Sequence, residues 1–267
     1  MPDYTFDTPQ PVDLRIRAAS GTVTVTAADT GTSTVEVTPL DDAARDLAEN
    51  TTVRLDGNRL TVEMPERMAG FSLRRRRIEI TVTVPTGSSL SSRTASARVI
   101  ATGRYATAVV HTASGEVSLD TVDGDAEVHC ASGDITIGSA RATKVHSASG
   151  RVRIDHAAGD VEVHAASGQI RVGVADASVN AKTASGDITV EDVRTGVVSL
   201  NAASGDLHIG VRAGVTAHLD VSSVSGRIRS DLPVDDAAPE SGSTLAVRAR
   251  TMSGNVVIAP ASVRTIS

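Results

Sequence analysis

The sequence predicts an all-β chain wound as a single-domain parallel β-solenoid, or β-helix, and three observations predict it. The dipeptide Ser-Gly recurs at Ser20-Gly21, Ser114-Gly115, Ser132-Gly133, Ser149-Gly150, Ser167-Gly168, Ser185-Gly186, Ser204-Gly205, Ser225-Gly226 and Ser253-Gly254. Counted from Ala97, which replaces glycine in a degenerate copy, the intervals are 18, 18, 17, 18, 18, 19, 21 and 28 residues. Between these marks apolar and polar residues alternate, the period of a strand with one buried face. Aromatic residues make up only 1% of the chain (Tyr4, Phe6, Phe71 and Tyr105), so the core must be thin and filled by Val, Ile, Leu and Ala.

Each copy supplies two short strands. After the glycine, the second and fourth residues are apolar, as in Ile135/Ile137, Ile170/Val172 and Ile188/Val190. The seventh and fifth residues before it are mostly apolar too, as in Ala126/Val128, Val161/Val163 and Val198/Leu200. A hairpin array would repeat each residue type at half this interval. Coiling instead lays each copy over the last, about 4.8 Å away in parallel sheets. Rungs of about 18 residues follow, wound right-handed because parallel crossovers prefer that hand. At each corner glycine supplies a positive φ and alanine keeps the turn narrow. Serine there is expected to hydrogen-bond main-chain groups that turning leaves unpaired. A serine present in every copy is not a nucleophile, and the chain has no GxSxG elbow.

The flanks follow the same reasoning. Residues 1–90 form an early coil, "AASGTVTV" at 18–25, plus an N-terminal β cap with strands at 34–39, 52–64 and 78–85. Asp56-Gly57 marks a hairpin, and 41–50 a short helix or ordered loop. Residues 91–267 are regular rungs with an acidic insertion at 230–243, the whole being one continuous domain. A thinly covered C-terminal end makes a homodimer through that end an expectation.

Charge and composition narrow the function. A net charge of −6 and a pI near 5.6 disfavour nucleic acid. Basic residues do cluster, at Arg74–Arg77 and at Arg151, Arg153 and Arg171, but as faces with neighbouring carboxylates. The single Cys130 supports neither a disulfide framework nor a CxxC site and is expected as a buried filler. No segment is apolar enough to span a bilayer, and the N-terminus shows no secretory pattern, so the cytoplasm is the default expectation.

The repeated "SGDITI"-like rungs, "ITVTVPTG" at Ile80–Gly87, "SVSGRIRSDLPV" and "TMSGNVVI" together resemble one family. It is the bacterial β-strand-repeat domain of unknown function labelled "putative adhesin". The resemblance covers nearly the whole chain and implies a parallel β-helix with no established catalytic residues. The label also implies a surface role.

A column of histidines stands out. His111, His129, His146 and His164 each lie four residues before the rung glycine, followed in later copies by Lys182, Asn201, Ser222 and Arg250. They face outward, beside Glu127, Lys144 and Glu162. Stacked imidazoles could hold zinc or copper, with Glu127 or Glu162 as an oxygen ligand. They could also make the stack acid-sensitive. Calcium is disfavoured, because Arg151 and Arg227 occupy the site that Asp134, Asp187 and Asp206 hold elsewhere. A polysaccharide-active enzyme would need two carboxylates across a groove. The column Asp120, Asp155, Glu191, Asp231 is interrupted by Gly138, Gly173 and Gly210. The expectation is therefore a non-catalytic scaffold or binding module for a protein or polysaccharide partner, without a required cofactor.

Overall fold

The structure is a computed structural model and describes residues 3–65, 77–232 and 244–261. Arg74–Arg76 of the basic run and most of the 230–243 insertion lie outside the described residues. The chain divides into two compact units, Met1–Gly138 and Ser139–Ser267. Both are all-β, and the described residues contain one α-helix of five residues. Among the described residues, no helix is long and apolar enough to cross a membrane.

The first unit contains β1 (Asp3–Asp7), β2 (Asp13–Ala28), β3 (Thr32–Pro39), α1 (Arg45–Glu49), β4 (Thr52–Asp56) and β5 (Arg59–Glu63). After them come β6 (Ile78–Pro85), β7 (Ser89–Tyr105), β8 (Thr107–Ser114) and β9 (Val117–Ser132). Alternation in β2 buries Leu14, Ile16, Val23 and Val25 and turns the residues between them outward. Its first half pairs in parallel with β5, its second half with β6, and nearly all of it with β7. Ser20 lies beside Ser96, and Gly21 beside Ala97, so the early copy stacks on the degenerate one. β8 and β9 continue in parallel. On the far side, β4 covers the edge of β5 through a tight turn at Gly57, whose φ is 58°. β3 covers β6, and β1 lies on β3, both antiparallel. These capping strands occupy main-chain groups that would otherwise recruit another chain. Tyr105 is fully buried, its hydroxyl 2.9 Å from the carbonyl of Val25 and 3.0 Å from that of Thr102.

The boundary between units falls inside β10 (Ile135–Ser149). Then come β11 (Val152–Ala157), β12 (Val161–Ser167), β13 (Ile170–Ala175), β14 (Val179–Ser185) and β15 (Ile188–Val193). The last are β16 (Gly196–Ser204), β17 (Leu207–Val211), β18 (Thr216–Ser225), β19 (Ile228–Ser230), β20 (Thr244–Ser253) and β21 (Val256–Pro260). Equivalent residues pair in parallel. Val145, Val163, Ala181, Leu200 and Ala249 form one buried row. Ile154, Val172, Val190, Ile209 and Ile258 form another.

Two expectations are corrected here. Copies were expected to stack in chain order, but β20 and β21 lie between β16/β17 and β18/β19. The later copy brings Leu245, Val247, Ala249, Val256 and Ile258 inward, all fully buried. The earlier one leaves Leu219 and Ile228 41% and 49% exposed. The more apolar copy takes the interior place, where a neighbour on each side removes its side chains from water. The corner serines differ from expectation in part: Ser96 Oγ does donate to the Ala19 carbonyl at 3.4 Å, but this is not what closes the other corners. Main chain closes the corners, with Gly115 N–H donating to the Ser132 carbonyl and Gly186 N–H to that of Ser204. The side chains of Ser132, Ser167, Ser185 and Ser204 are exposed.

Candidate functional site

Outward positions of successive strands line up in columns, and these columns carry the polar chemistry. In the first unit, Arg93, His111 and His129 are neighbours in register. The rings of His111 and His129 stack, with centroids 4.7 Å apart and planes 11° from parallel. His129 Nε2 lies 2.8 Å from Glu127 Oε1. Partial burial, then the neighbouring His129 and Arg93, lower the proton affinity of His111, while Glu127 opposes the shift.

In the second unit, His146 and His164 meet edge to face, with centroids 5.2 Å apart, and His164 Nε2 lies 3.3 Å from Glu162. From His164 the column continues through Lys182, Asn201, Arg250 and Ser222. Arg250 precedes Ser222 because of the exchanged strand order. A second column carries Lys144, Glu162, Asn180, Ser199, Arg248 and Asp220. Where the two columns cross β14, β16, β20 and β18 they line an open groove of about 820 Å³. Among the described residues, no group of three or more His, Cys, Asp or Glu side chains is gathered as a metal site.

The acidic column is occupied. Asp120 accepts a hydrogen bond from Gly103 N–H at 3.1 Å. Asp155 pairs with Arg153 at 2.7 Å, Glu191 with Arg171, and Asp231 with Arg229 at 2.8 Å. Two members of the basic cluster, Arg153 and Arg171, are thus turned to carboxylates. A Cβ on Gly173 would meet the Asp155 carbonyl, so main chain fills the gap between the acidic side chains. Cys130 is buried, and burial raises its thiol pKa, which leaves it a poor nucleophile.

One constellation escaped the sequence reading. Ser139 Oγ lies 3.4 Å from His156 Nδ1, and His156 Nε2 lies 3.1 Å from Asp176. The order resembles a nucleophile, base and orienting acid. Arg194 Nε also lies 3.1 Å from Asp176, and 3.4 Å is a long contact for a hydroxyl. The contacts join β10 and β11 to the residues that follow β13 and β15. Ser139 and His156 share the sixth position after their glycines, which is a readable signal. Asp176 stands eight after its glycine and breaks the column.

Comparison with known proteins adds the following. No curated protein matches the chain. Among solved structures, a "putative adhesin" from Bacteroides fragilis is similar at 11% identity, covering 96% of this chain and 95% of that one, with a TM-score of 0.43. A "putative adhesin" from Parabacteroides distasonis shares 12% identity, covering 97% and 96%, with a TM-score of 0.41. A "putative lipid binding protein" from the same species shares 15%, covering 100% and 96%, with a TM-score of 0.44. The family model Toastrack DUF4097 matches residues 12–259, and on that match the chain belongs to this family of unknown function.

Proposed function

We propose that this chain is a non-catalytic binding module. In this reading it is a capped, right-handed parallel β-solenoid with rungs of about 18 residues. Residues 1–90 serve as early coil and cap, and residues 91–267 as the regular rungs of the same domain. Its outer faces meet a protein or polymer partner. The observation that carries the reading is the parallel register of outward residues, exemplified by His164, Lys182, Asn201 and Arg250. Such a face offers rows of groups at strand spacing, about 4.8 Å, to anything extended across it. The pairing of Asp155, Glu191 and Asp231 with arginines supports the absence of hydrolytic carboxylates.

The test is to screen the immobilised chain against an array of bacterial and host polysaccharides and surface-protein extracts. The expected result is saturable binding with no change in polymer length. Depolymerisation would overturn the non-catalytic reading, and an array without saturable binding would overturn the binding reading. A second reading, an acid-responsive face, is favoured by the 4.7 Å His111–His129 stack. Its test is the pH series described in the Discussion.

A further inference from the structure

We propose that the groove across β14, β16, β20 and β18 binds a carboxylate-bearing polysaccharide laid across the strands. The inference rests on the binding-module reading and names its ligand class and its site.

Charge is the first argument. Among the described residues, Lys182, Arg248 and Arg250 line the groove against a single carboxylate, Asp220. Asp220 pairs with Arg250 at 3.2 Å. Among the described residues, Lys182 and Arg248 have no ion-pair partner. The chain as a whole carries a net charge of −6, so this is a cationic strip on an anionic protein. An anionic polymer is repelled by most of the surface and drawn to this part.

Hydrogen bonding is the second. Asn180 Oδ1 is buried and has no hydrogen-bond partner. An acceptor in that state costs stability, and a turn of the Asn180 side chain toward the groove would let a sugar hydroxyl donate to it. Ser178, Ser199 and Asn201 add further neutral donors and acceptors in the same groove. Cations mixed with amides and hydroxyls suit a polymer that carries both carboxylates and hydroxyls. Among the described residues, no aromatic side chain lines the groove to stack a nucleobase, which separates this ligand from single-stranded nucleic acid.

Spacing is the third. Lys182, Asn201 and Arg250 occupy consecutive strands of one column. Lys182 and the unpaired Arg248, which lies on the same strand as Arg250, are therefore two strand spacings apart along the stack, about 10 Å. One strand spacing is close to the length of one pyranose. A flat β-(1→4)-linked uronate chain turns every second carboxylate to the same side, and that repeat matches the two cations.

The test is calorimetric titration of the full chain with a β-(1→4)-mannuronate hexamer at low salt. The neutral β-(1→4)-mannose hexamer and a thymidine oligonucleotide serve as comparisons. The expected result is binding of the uronate alone, weakened by salt. Lys182→Ser combined with Arg248→Ser should lower affinity at least tenfold with thermal unfolding unchanged. Asp220→Asn should tighten binding about threefold, the gain from removing one like charge beside the ligand. Equal binding of the neutral hexamer, tighter binding of the oligonucleotide, or indifference to all three substitutions would each overturn the proposal. Failure of the uronate to bind while the array yields another saturable partner sinks the groove and spares the module. An empty array sinks both.

Discussion

Gly186 sits at a corner with φ of 137°, and a Cβ built on it would overlap the carbonyl oxygen of Gly168 on the neighbouring strand. Gly214 has φ of 82° but no atom within 4 Å of such a Cβ. The two positions separate conformational strain from close approach. Gly214→Ala should cost about 1–2 kcal/mol, the penalty of a left-handed alanine. Gly186→Ala should cost more, because the strands must also part; urea unfolding of both variants measures the difference. The recurring glycine was readable because it repeats, but only its φ was anticipated. The close approach depends on which strand lies alongside, which no single copy states.

His111 gives the second prediction at this scale. Its proton affinity is lowered in the folded chain by burial, His129 and Arg93. The unfolded chain, with histidine near its ordinary value of about 6.5, then binds the proton more readily. Stability from this group is therefore complete above about pH 6.5 and is lost as pH falls through the lower folded value. The unfolding temperature should drop between pH 7.5 and 5.5, and His111→Asn should shrink that drop. An identical pH slope in the variant would remove the histidine stack as the cause.

At the scale of elements, the strand reading held where alternation was strong. The segment expected at 78–85 is β6, and the hairpin at Asp56-Gly57 joins β4 to β5. The exchanged order of β18 and β20 was not anticipated, because alternation fixes which face of a strand is buried and says nothing of its neighbour. A comparison of inward residues in the second row carries that information: Val256 and Ile258 against Ile228 and Ser230. The exchange has an energetic signature. Leu200 is fully buried between two neighbours, while Leu219 remains 41% exposed on the outer strand. Leu200→Ala should cost about 2–5 kcal/mol, as for other core leucines. Leu219→Ala should cost less than half as much in the same unfolding assay. The Ser139–His156–Asp176 contacts lay beyond the sequence pattern for a related reason: their meeting depends on how successive corners are offset.

At the scale of the whole chain, the two units treat their strand edges differently. In the first unit, β3 and β4 cover β6 and β5, and β1 covers β3. In the second, the described residues pair β18 only with β20 and β19 only with β21. Among the described residues, no strand pairs with their outer side, which can meet another strand. Leu219, Val224 and Ile228 on these strands are 41%, 83% and 49% exposed, alongside Met252 at 64%. A second copy of the chain presents the same edge, and a twofold axis would bring the two edges together antiparallel. Sedimentation velocity should then show association that rises with protein concentration. Leu219→Lys with Val224→Lys should abolish it, since two added charges per edge repel across such an axis. Val224, 83% exposed, is solvent-facing, whereas Leu219 belongs to the inward row, so Val224→Lys alone should keep the unfolding temperature within a few degrees and already weaken association. A wild-type chain that sediments as a monomer at every concentration would show that this edge is covered from within the chain itself.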